Sequence, residues 1–185
     1  MLWMILFYAW PASEILLAVA TRTRRKDGKL RDRWSFPVLW LSIYASITAA
    51  EYVAPWGPAR IFSGAHWPSY AAVALMSVGL AIRWTAILSL GKAFSVNVAI
   101  RAEQKLYRSG LYGLVRHPSY SGMLLCFMAV ALSTRNWCSA AIVLICPIAA
   151  LLYRIHIEEA ALNEAFGAQY ASYSQQTKRL IPGIY

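Results

Sequence analysis

The chain has 185 residues, of which 59% are hydrophobic and 14% are charged. This composition is too apolar for a soluble domain of this size and indicates an integral membrane protein. The net charge is +10. The positions of the basic residues fit membrane topology and contact with anionic headgroups better than nucleic-acid binding, so nucleic acid is not an expected partner.

Five apolar segments are candidates for membrane helices. A helix needs about 20 residues to cross a bilayer, and the length of each segment is compared with that value. In chain order they cover residues 2–20, 34–54, 70–90, 120–134 and 137–153. No positive charge precedes the first segment, so we expect a retained anchor and not a signal peptide. Only Arg135 and Asn136 separate the last two, which predicts a tight helical hairpin whose first arm, at ~22 Å, is tilted or stops short of the far interface.

The basic residues set the predicted orientation. Fifteen of the 18 Lys and Arg residues lie in the first and third connections and after the last segment, which the positive-inside rule makes cytoplasmic. We therefore predict an all-α, multi-pass protein with its N-terminus outside and a cytoplasmic C-terminal helix, in a plasma or inner membrane, or in the endoplasmic reticulum of a eukaryote. Arg83 lies within a span and either snorkels to the interface or faces a pocket.

Two polar clusters meet at the predicted cytoplasmic face. The stretch "GLVRHPSYSGMLL" begins at residue 113, and Pro118 in it suits the first turn of a helix. The hairpin returns to the same face in "YRIHIEEAALNEAFGAQYASY", where Arg154 and Glu158 are four residues apart on one helix face and Glu159 is turned by about 100°. Together with Arg116 and His117 they predict a pocket at the membrane surface.

Each residue also has an ordinary interpretation. The arginines suit snorkelling interface residues, the histidine a helix cap, and the two glutamates a solvated helix face. Composition and spacing alone therefore leave a membrane enzyme and a ligand-binding protein both open. The three cysteines, at 126, 138 and 146, have no CxxC spacing, so neither a disulfide framework nor a metal site is expected.

The ordered motifs resemble those of the isoprenylcysteine carboxyl methyltransferase family, which is related to membrane phospholipid methyltransferases. The resemblance rests on "RHPSYSG", then "RxxxEExxLxxxFGxxYxxY" and a terminal "IP", and covers about the last hundred residues, from "LGKAFS" at residues 90–95. It implies an α-helical membrane enzyme that binds S-adenosylmethionine at its cytosolic face and methylates a prenylated cysteine carboxylate. Residues 1–68 would then be a two-helix anchor with a basic cytoplasmic loop, and residues 69–185 the catalytic core of a single membrane domain.

The resemblance also implies a set of site residues. The cofactor shell would be formed by Gln104, Lys105, Leu106, Tyr112, His117, Pro118, Tyr120, Glu158 and Glu159. Many family members have histidine at the position of Gln104, which weakens the mapping of that one contact. The expected catalytic residues are Arg154, Arg116 and Glu158.

The expected chemistry fits these side chains. A carboxylate is already ionised at neutral pH, so methyl transfer to it needs alignment and a fixed cation, and neither a strong base nor a metal. Arginine suits that role because its planar fork binds a carboxylate bidentately, with Arg154 the first candidate and Arg116 the second. The expected partners are the lipid bilayer and a lipid-like or prenylated carboxylate acceptor. An NADPH-dependent, sterol-reductase-like enzyme and an inactive membrane scaffold stay open as alternatives.

Overall fold

The structure is a computed structural model that describes residues 1–21, 29–30, 32, 34–55, 60–62, 64–91, 94, 99–100 and 105–185. In chain order its elements are α1 (Leu2–Thr21), β1 (Lys29–Leu30), α2 (Ser35–Val53), α3 (Trp67–Leu90), β2 (Ala99–Ile100), a 3-10 helix (Gly110–Gly113), α4 (Pro118–Ser133), α5 (Trp137–Phe166) and α6 (Ala168–Gln176). Most of the basic loop at residues 22–33, and Gln104, lie outside the described residues.

The predicted multi-pass helical fold is confirmed. Within the described residues, α1, α2, α3 and α5 are long and apolar enough to cross a membrane, and α4 is a shorter apolar helix of 16 residues. The antiparallel pairing of β1 with β2 was not predicted. It joins the first and third connections, which therefore lie at the same end of the bundle.

The hairpin turns where the sequence predicted. Arg135 adopts a left-handed backbone with φ of 51°, and the Asn136 side chain accepts hydrogen bonds from the amides of Cys138 and Ser139 at 2.9 and 3.2 Å. Such a cap satisfies amides that have no partner in the first turn of a helix. Asn136 is fully buried, so the capping side chain packs within the fold although Trp137 and Cys138, the first residues of α5, are exposed. The helix continues without a break to Phe166 and carries both glutamates of the motif.

Helices α3 and α4 approach closely at two glycines. A Cβ on Gly79 would lie 2.7 Å from the Gly122 carbonyl oxygen, and one on Gly122 would lie 2.5 Å from the Gly79 carbonyl oxygen. Small residues at a crossing let two membrane helices approach to backbone contact, where van der Waals packing holds them together. The contact fixes α4 against α3. It thereby also fixes the RHP turn, which consists of Arg116, His117 and Pro118 at the start of α4.

Candidate active site

The RHP turn is held by the C-terminal segment. The amides of Arg116 and His117 donate to the carbonyls of Lys178 and Arg179 at 2.7 and 3.0 Å, so the turn and the segment run side by side as a short parallel bridge. The Ser121 hydroxyl donates to a further carbonyl of that segment, 2.6 Å away. The start of α4 is therefore bonded to residues about 60 positions later in the chain.

Glu159 lies at the centre of a cluster of cations. One of its oxygens accepts from Arg116 Nε at 3.0 Å and lies 3.4 Å from His117 Nε2. The other accepts from Nε and Nη2 of Arg179 at 2.9 and 2.7 Å. Hydrogen bonding to Glu159 raises the pKa of the Arg179 guanidinium above its ordinary value. Each oxygen of Glu159 thus binds a different arginine, and the carboxylate ties α5 to the RHP turn and to the C-terminal segment.

Arg116 also organises backbone beyond this carboxylate. Its Nη1 donates to the carbonyl oxygens of Ser174, at 2.8 Å, and Thr177. These carbonyls belong to the end of α6 and the residue that follows it, where backbone acceptors lack partners within the helix. The contacts make Arg116 a cross-link between the RHP turn, α5 and α6.

Glu158 belongs to a second chain of hydrogen bonds, and His117 lies between the two groups, with Nδ1 4.0 Å from Glu158 Oε2 and Nε2 3.4 Å from Glu159 Oε1. Arg154 Nε donates to the Tyr120 hydroxyl at 2.8 Å, and that hydroxyl donates to Glu158 Oε2 at 2.7 Å. Arg154 is 4% exposed, whereas the Glu158 side chain is 32% exposed. The His117 ring stacks on the Tyr120 ring with centroids 5.5 Å apart. The chain therefore runs from a buried cation, through one tyrosine, to a partly exposed carboxylate.

The buried end of this chain is fixed by the N-terminal part of α2. Arg154 Nη1 donates to the Ser35 hydroxyl at 2.8 Å, and the guanidinium lies 5.6 Å from the centroid of the Phe36 ring. Asp32 caps the same helix by accepting from the amides of Trp34 and Ser35 at 3.0 Å each. Partial burial favours its protonated form, yet hydrogen bonds from Ser35 and Trp34 hold the pKa of Asp32 below its ordinary value.

Arg83 pairs with a carboxylate of the first helix. Its Nε and Nη2 donate to the two oxygens of Glu14, the second at 2.6 Å, and its Nη1 donates to the Ser119 carbonyl at 3.3 Å. Both charged side chains are buried, at 5% and 3% exposure. Arg83 therefore points into the bundle and does not snorkel, and it contacts the first turn of α4 one residue before Tyr120.

Seven of the predicted site residues converge in this region. They are Arg116, His117, Pro118, Tyr120, Arg154, Glu158 and Glu159. The amides of Tyr120 and Ser121, in the first turn of α4, both donate to the His117 carbonyl at 3.0 Å.

Among the described residues, Tyr112, Lys105 and Leu106 form no hydrogen bond with the two glutamates. The Tyr112 hydroxyl donates to the Ala86 carbonyl of α3 at 3.3 Å. Lys105 is exposed and Leu106 half-buried in the segment before the 3-10 helix. Among the described residues, no group of His, Cys, Asp and Glu side chains is arranged to hold a metal ion.

Sequence reasoning missed four residues of this region: Glu14, Asp32, Ser35 and Arg179. Only Arg179 had a signal, since a basic residue directly precedes the "LIP" of the C-terminal motif. The other three lie before residue 36 and reach the site only through the packing of α1 and α2.

Comparison with known proteins gives consistent matches. The model of the isoprenylcysteine carboxyl methyltransferase (ICMT) family matches residues 68–164. Protein-S-isoprenylcysteine O-methyltransferase B of Arabidopsis thaliana is 33% identical over 131 residues, which are 64% of this chain and 61% of that protein. Methanethiol S-methyltransferase of Pseudomonas sp. (strain GM41(2012)) is 29% identical over 152 residues, 78% of this chain and 53% of that protein.

The fold also matches a solved structure. The eukaryotic intramembrane Ras methyltransferase ICMT, solved without a monobody, aligns with a TM-score of 0.60 and 27% identity. The alignment covers 80% of this chain and 52% of that one. The chain spans about three fifths of the length of the curated plant relatives it matches.

Proposed function

The chain belongs to the isoprenylcysteine carboxyl methyltransferase family, and from this premise we propose that it transfers the methyl group of S-adenosylmethionine to the carboxylate of a lipid-like acceptor. The observation that carries the proposal is the chain of hydrogen bonds that joins Arg154, Tyr120 and Glu158. It has a fixed cation at one end, suited to a carboxylate, and a partly exposed carboxylate at the other, suited to the amino group or ribose hydroxyls of the methyl donor.

We assign different roles to the two glutamates. The Glu159 side chain is 13% exposed and already binds Arg116 and Arg179, so it organises the site. Glu158 is more exposed and accepts from Tyr120, so it is the carboxylate available to a donor molecule. This difference fits S-adenosylmethionine, whose ammonium and hydroxyl groups are hydrogen-bond donors.

The acceptor half of the proposal rests on how Arg154 is held. Contacts with Tyr120 and Ser35 fix its guanidinium in one orientation, and burial strengthens its attraction for a carboxylate. S-adenosylmethionine, when bound, would supply an electrophilic methyl group, and Arg154 would hold the acceptor carboxylate in position to receive it. No proton has to be moved by the protein, because the acceptor oxygen is already ionised.

The integral membrane character agrees with a lipid-like acceptor. Four described helices are long and apolar enough to cross a membrane, and the polar cluster lies where α5 leaves its apolar stretch. We propose that this end faces the cytoplasm, because the basic residues are concentrated there.

Calorimetry on detergent-purified protein tests the donor half. We expect S-adenosylmethionine and its demethylated product to bind in the micromolar range, at roughly −8 kcal/mol. Glu158→Gln should weaken binding by about 1.5–3 kcal/mol, because a charged acceptor is lost. Glu164→Gln, the same change at an exposed position of α5, is the matched control and should bind as the wild type does. Binding of NADPH, with no binding of S-adenosylmethionine or of its demethylated product, would reject the methyltransferase proposal.

The variant Arg154→Lys tests the acceptor half. Lysine keeps the charge and loses the planar fork, so most turnover of N-acetyl-S-farnesylcysteine should be lost while donor affinity stays near the wild-type value. Full turnover in this variant would show that Arg154 only anchors α5 to α2. Methylation of methanethiol without methylation of the carboxylate probe would contradict the acceptor class and leave the donor assignment intact.

A further inference from the structure

The Tyr120 hydroxyl joins the two halves of the proposed site. Tyr120 lies on α4, and its hydroxyl contacts Arg154 and Glu158, which are four residues apart on α5. Tyr120 is 8% exposed, and its ring stacks on His117 at an interplanar angle of 18°. The hydroxyl is thus held between a cation and a carboxylate.

The chemistry of a hydroxyl makes these two contacts interdependent. It has one proton and two lone pairs, so its proton goes to Glu158 while a lone pair receives the N–H of Arg154. Hydrogen bonds in such a chain polarise one another. A cation that binds Glu158 makes its carboxylate a weaker acceptor for the Tyr120 hydroxyl. The hydroxyl oxygen then carries less electron density, which weakens the hydrogen bond that it accepts from Arg154. The positive charge of Arg154 then interacts more strongly with an arriving carboxylate.

We propose that the Tyr120 hydroxyl couples the donor and acceptor sites, so that a ligand on Glu158 raises the affinity of the Arg154 end for a carboxylate. Linkage requires the reverse effect to be equal, so a carboxylate at Arg154 raises the affinity for the donor by the same factor. The inference rests on the proposed function, because it needs a cationic ligand at one end and an anionic ligand at the other. Tyr120 is then a positioning residue that acts through Arg154 and Glu158.

The test is a ratio of two dissociation constants, measured by calorimetry in detergent. The dissociation constant of S-adenosylhomocysteine is measured without and with saturating N-acetyl-S-farnesylcysteine. We expect the carboxylate to tighten binding by about 5-fold or more in the wild type, at the lower end of typical coupling between sites. Tyr120→Phe keeps the ring and its stacking on His117 but lacks the hydroxyl, so its ratio should fall to about one.

The control is Tyr173→Phe. Tyr173 is also buried, and its hydroxyl donates to the Tyr112 carbonyl at 2.6 Å and not to a member of the Arg154–Tyr120–Glu158 chain. Loss of this hydroxyl should leave the ratio at its wild-type value. A general loosening of the fold would instead change both phenylalanine variants alike.

Glu158→Gln gives a second test, which does not depend on the folding of Tyr120→Phe. The amide keeps an acceptor for Tyr120 but has no charge, so the ratio should again fall to about one. A wild-type ratio in Glu158→Gln or in Tyr120→Phe overturns the inference. A ratio of one in the wild-type protein also overturns the inference, although binding of S-adenosylhomocysteine would still support the donor half of the proposed function. Failure of the wild type to bind S-adenosylhomocysteine at all would reject the proposed function itself.

Discussion

Replacement of Gly122 by alanine should destabilise the fold and weaken the site. A Cβ at this position would lie 2.5 Å from the Gly79 carbonyl oxygen, 2.8 Å from the Arg83 backbone nitrogen and 2.9 Å from its Cβ. Comfortable contacts are about 3.5 Å or longer, so α3 and α4 must separate by about 1 Å. None of the three atoms lies at the end of a flexible side chain, so none can rotate away.

The magnitude is the difference of two opposing effects. Overpacking of this kind costs about 1–3 kcal/mol, and the cost here belongs at the upper end because the contacts are with backbone. Alanine in a helix recovers up to about 1 kcal/mol relative to glycine. We therefore expect a net loss of about 2 kcal/mol in the free energy of unfolding. Because Arg83 also contacts the Ser119 carbonyl, the start of α4 should shift and donor affinity should fall.

Unfolding in mixed detergent micelles, followed by circular dichroism, measures this loss. Gly113→Ala is the matched control: among the described residues, its Cβ would have one neighbour within 4 Å, the Arg108 carbonyl oxygen at 3.3 Å, so its effect on unfolding should be smaller. Wild-type stability of Gly122→Ala would refute the close approach of α3 and α4 and the positioning of the RHP turn that depends on it.

Three further outcomes are expected. Glu14→Gln should lower the free energy of unfolding by about 3–5 kcal/mol, because it leaves Arg83 as an uncompensated charge inside the bundle; a neutral result would show that water reaches Arg83. Arg179→Ala should cost less than about 1 kcal/mol in the same unfolding measurement, because its side chain is 38% exposed, and a loss several times larger would contradict its surface position. In a variant without native cysteines, Gln175→Cys should react with an impermeant thiol reagent only after the membrane is opened, whereas His66→Cys should react in intact cells; the reverse pattern would invert the proposed topology.

The helices and the hairpin were predictable because their causes are local. A run of about 20 apolar residues has few alternatives to a membrane helix, since every backbone polar group must be paired within lipid. The two-residue turn at Arg135 and Asn136 follows from the short polar break between two such runs. Pro118 marked the start of α4 for a similar reason, because proline suits the first turn of a helix. The convergence of the two motifs then followed from the antiparallel hairpin.

The ion pairs were not predictable because their causes are distant in sequence. Glu14 and Arg83 are 69 residues apart, and no periodic pattern in either helix specifies which residue it faces. Arg179 reaches Glu159 because backbone hydrogen bonds attach its segment to the RHP turn, a pairing without a hydrophobic signature. The sequence therefore predicted that the two motifs bring their charged residues to one end of the bundle. It predicted neither the charged residues that join them from other segments nor which charges bind each other.

The N-terminal helices contribute to the site in a way that an anchor alone does not explain. The matched family region begins at residue 68 and contains Arg116, Glu158 and Glu159. Arg154, at the buried end of the hydrogen-bond chain, is held by Ser35 of α2, and α1 supplies Glu14 to Arg83 beside the first turn of α4. A boundary at residue 68 thus separates the matched segment from two helices that hold its arginines. Helix α2 holds Arg154 in the site, and α1 holds Arg83 beside it. Substitutions in α1 and α2 should therefore alter how these arginines are held while leaving the Glu159 cluster, whose described partners all follow residue 68, intact.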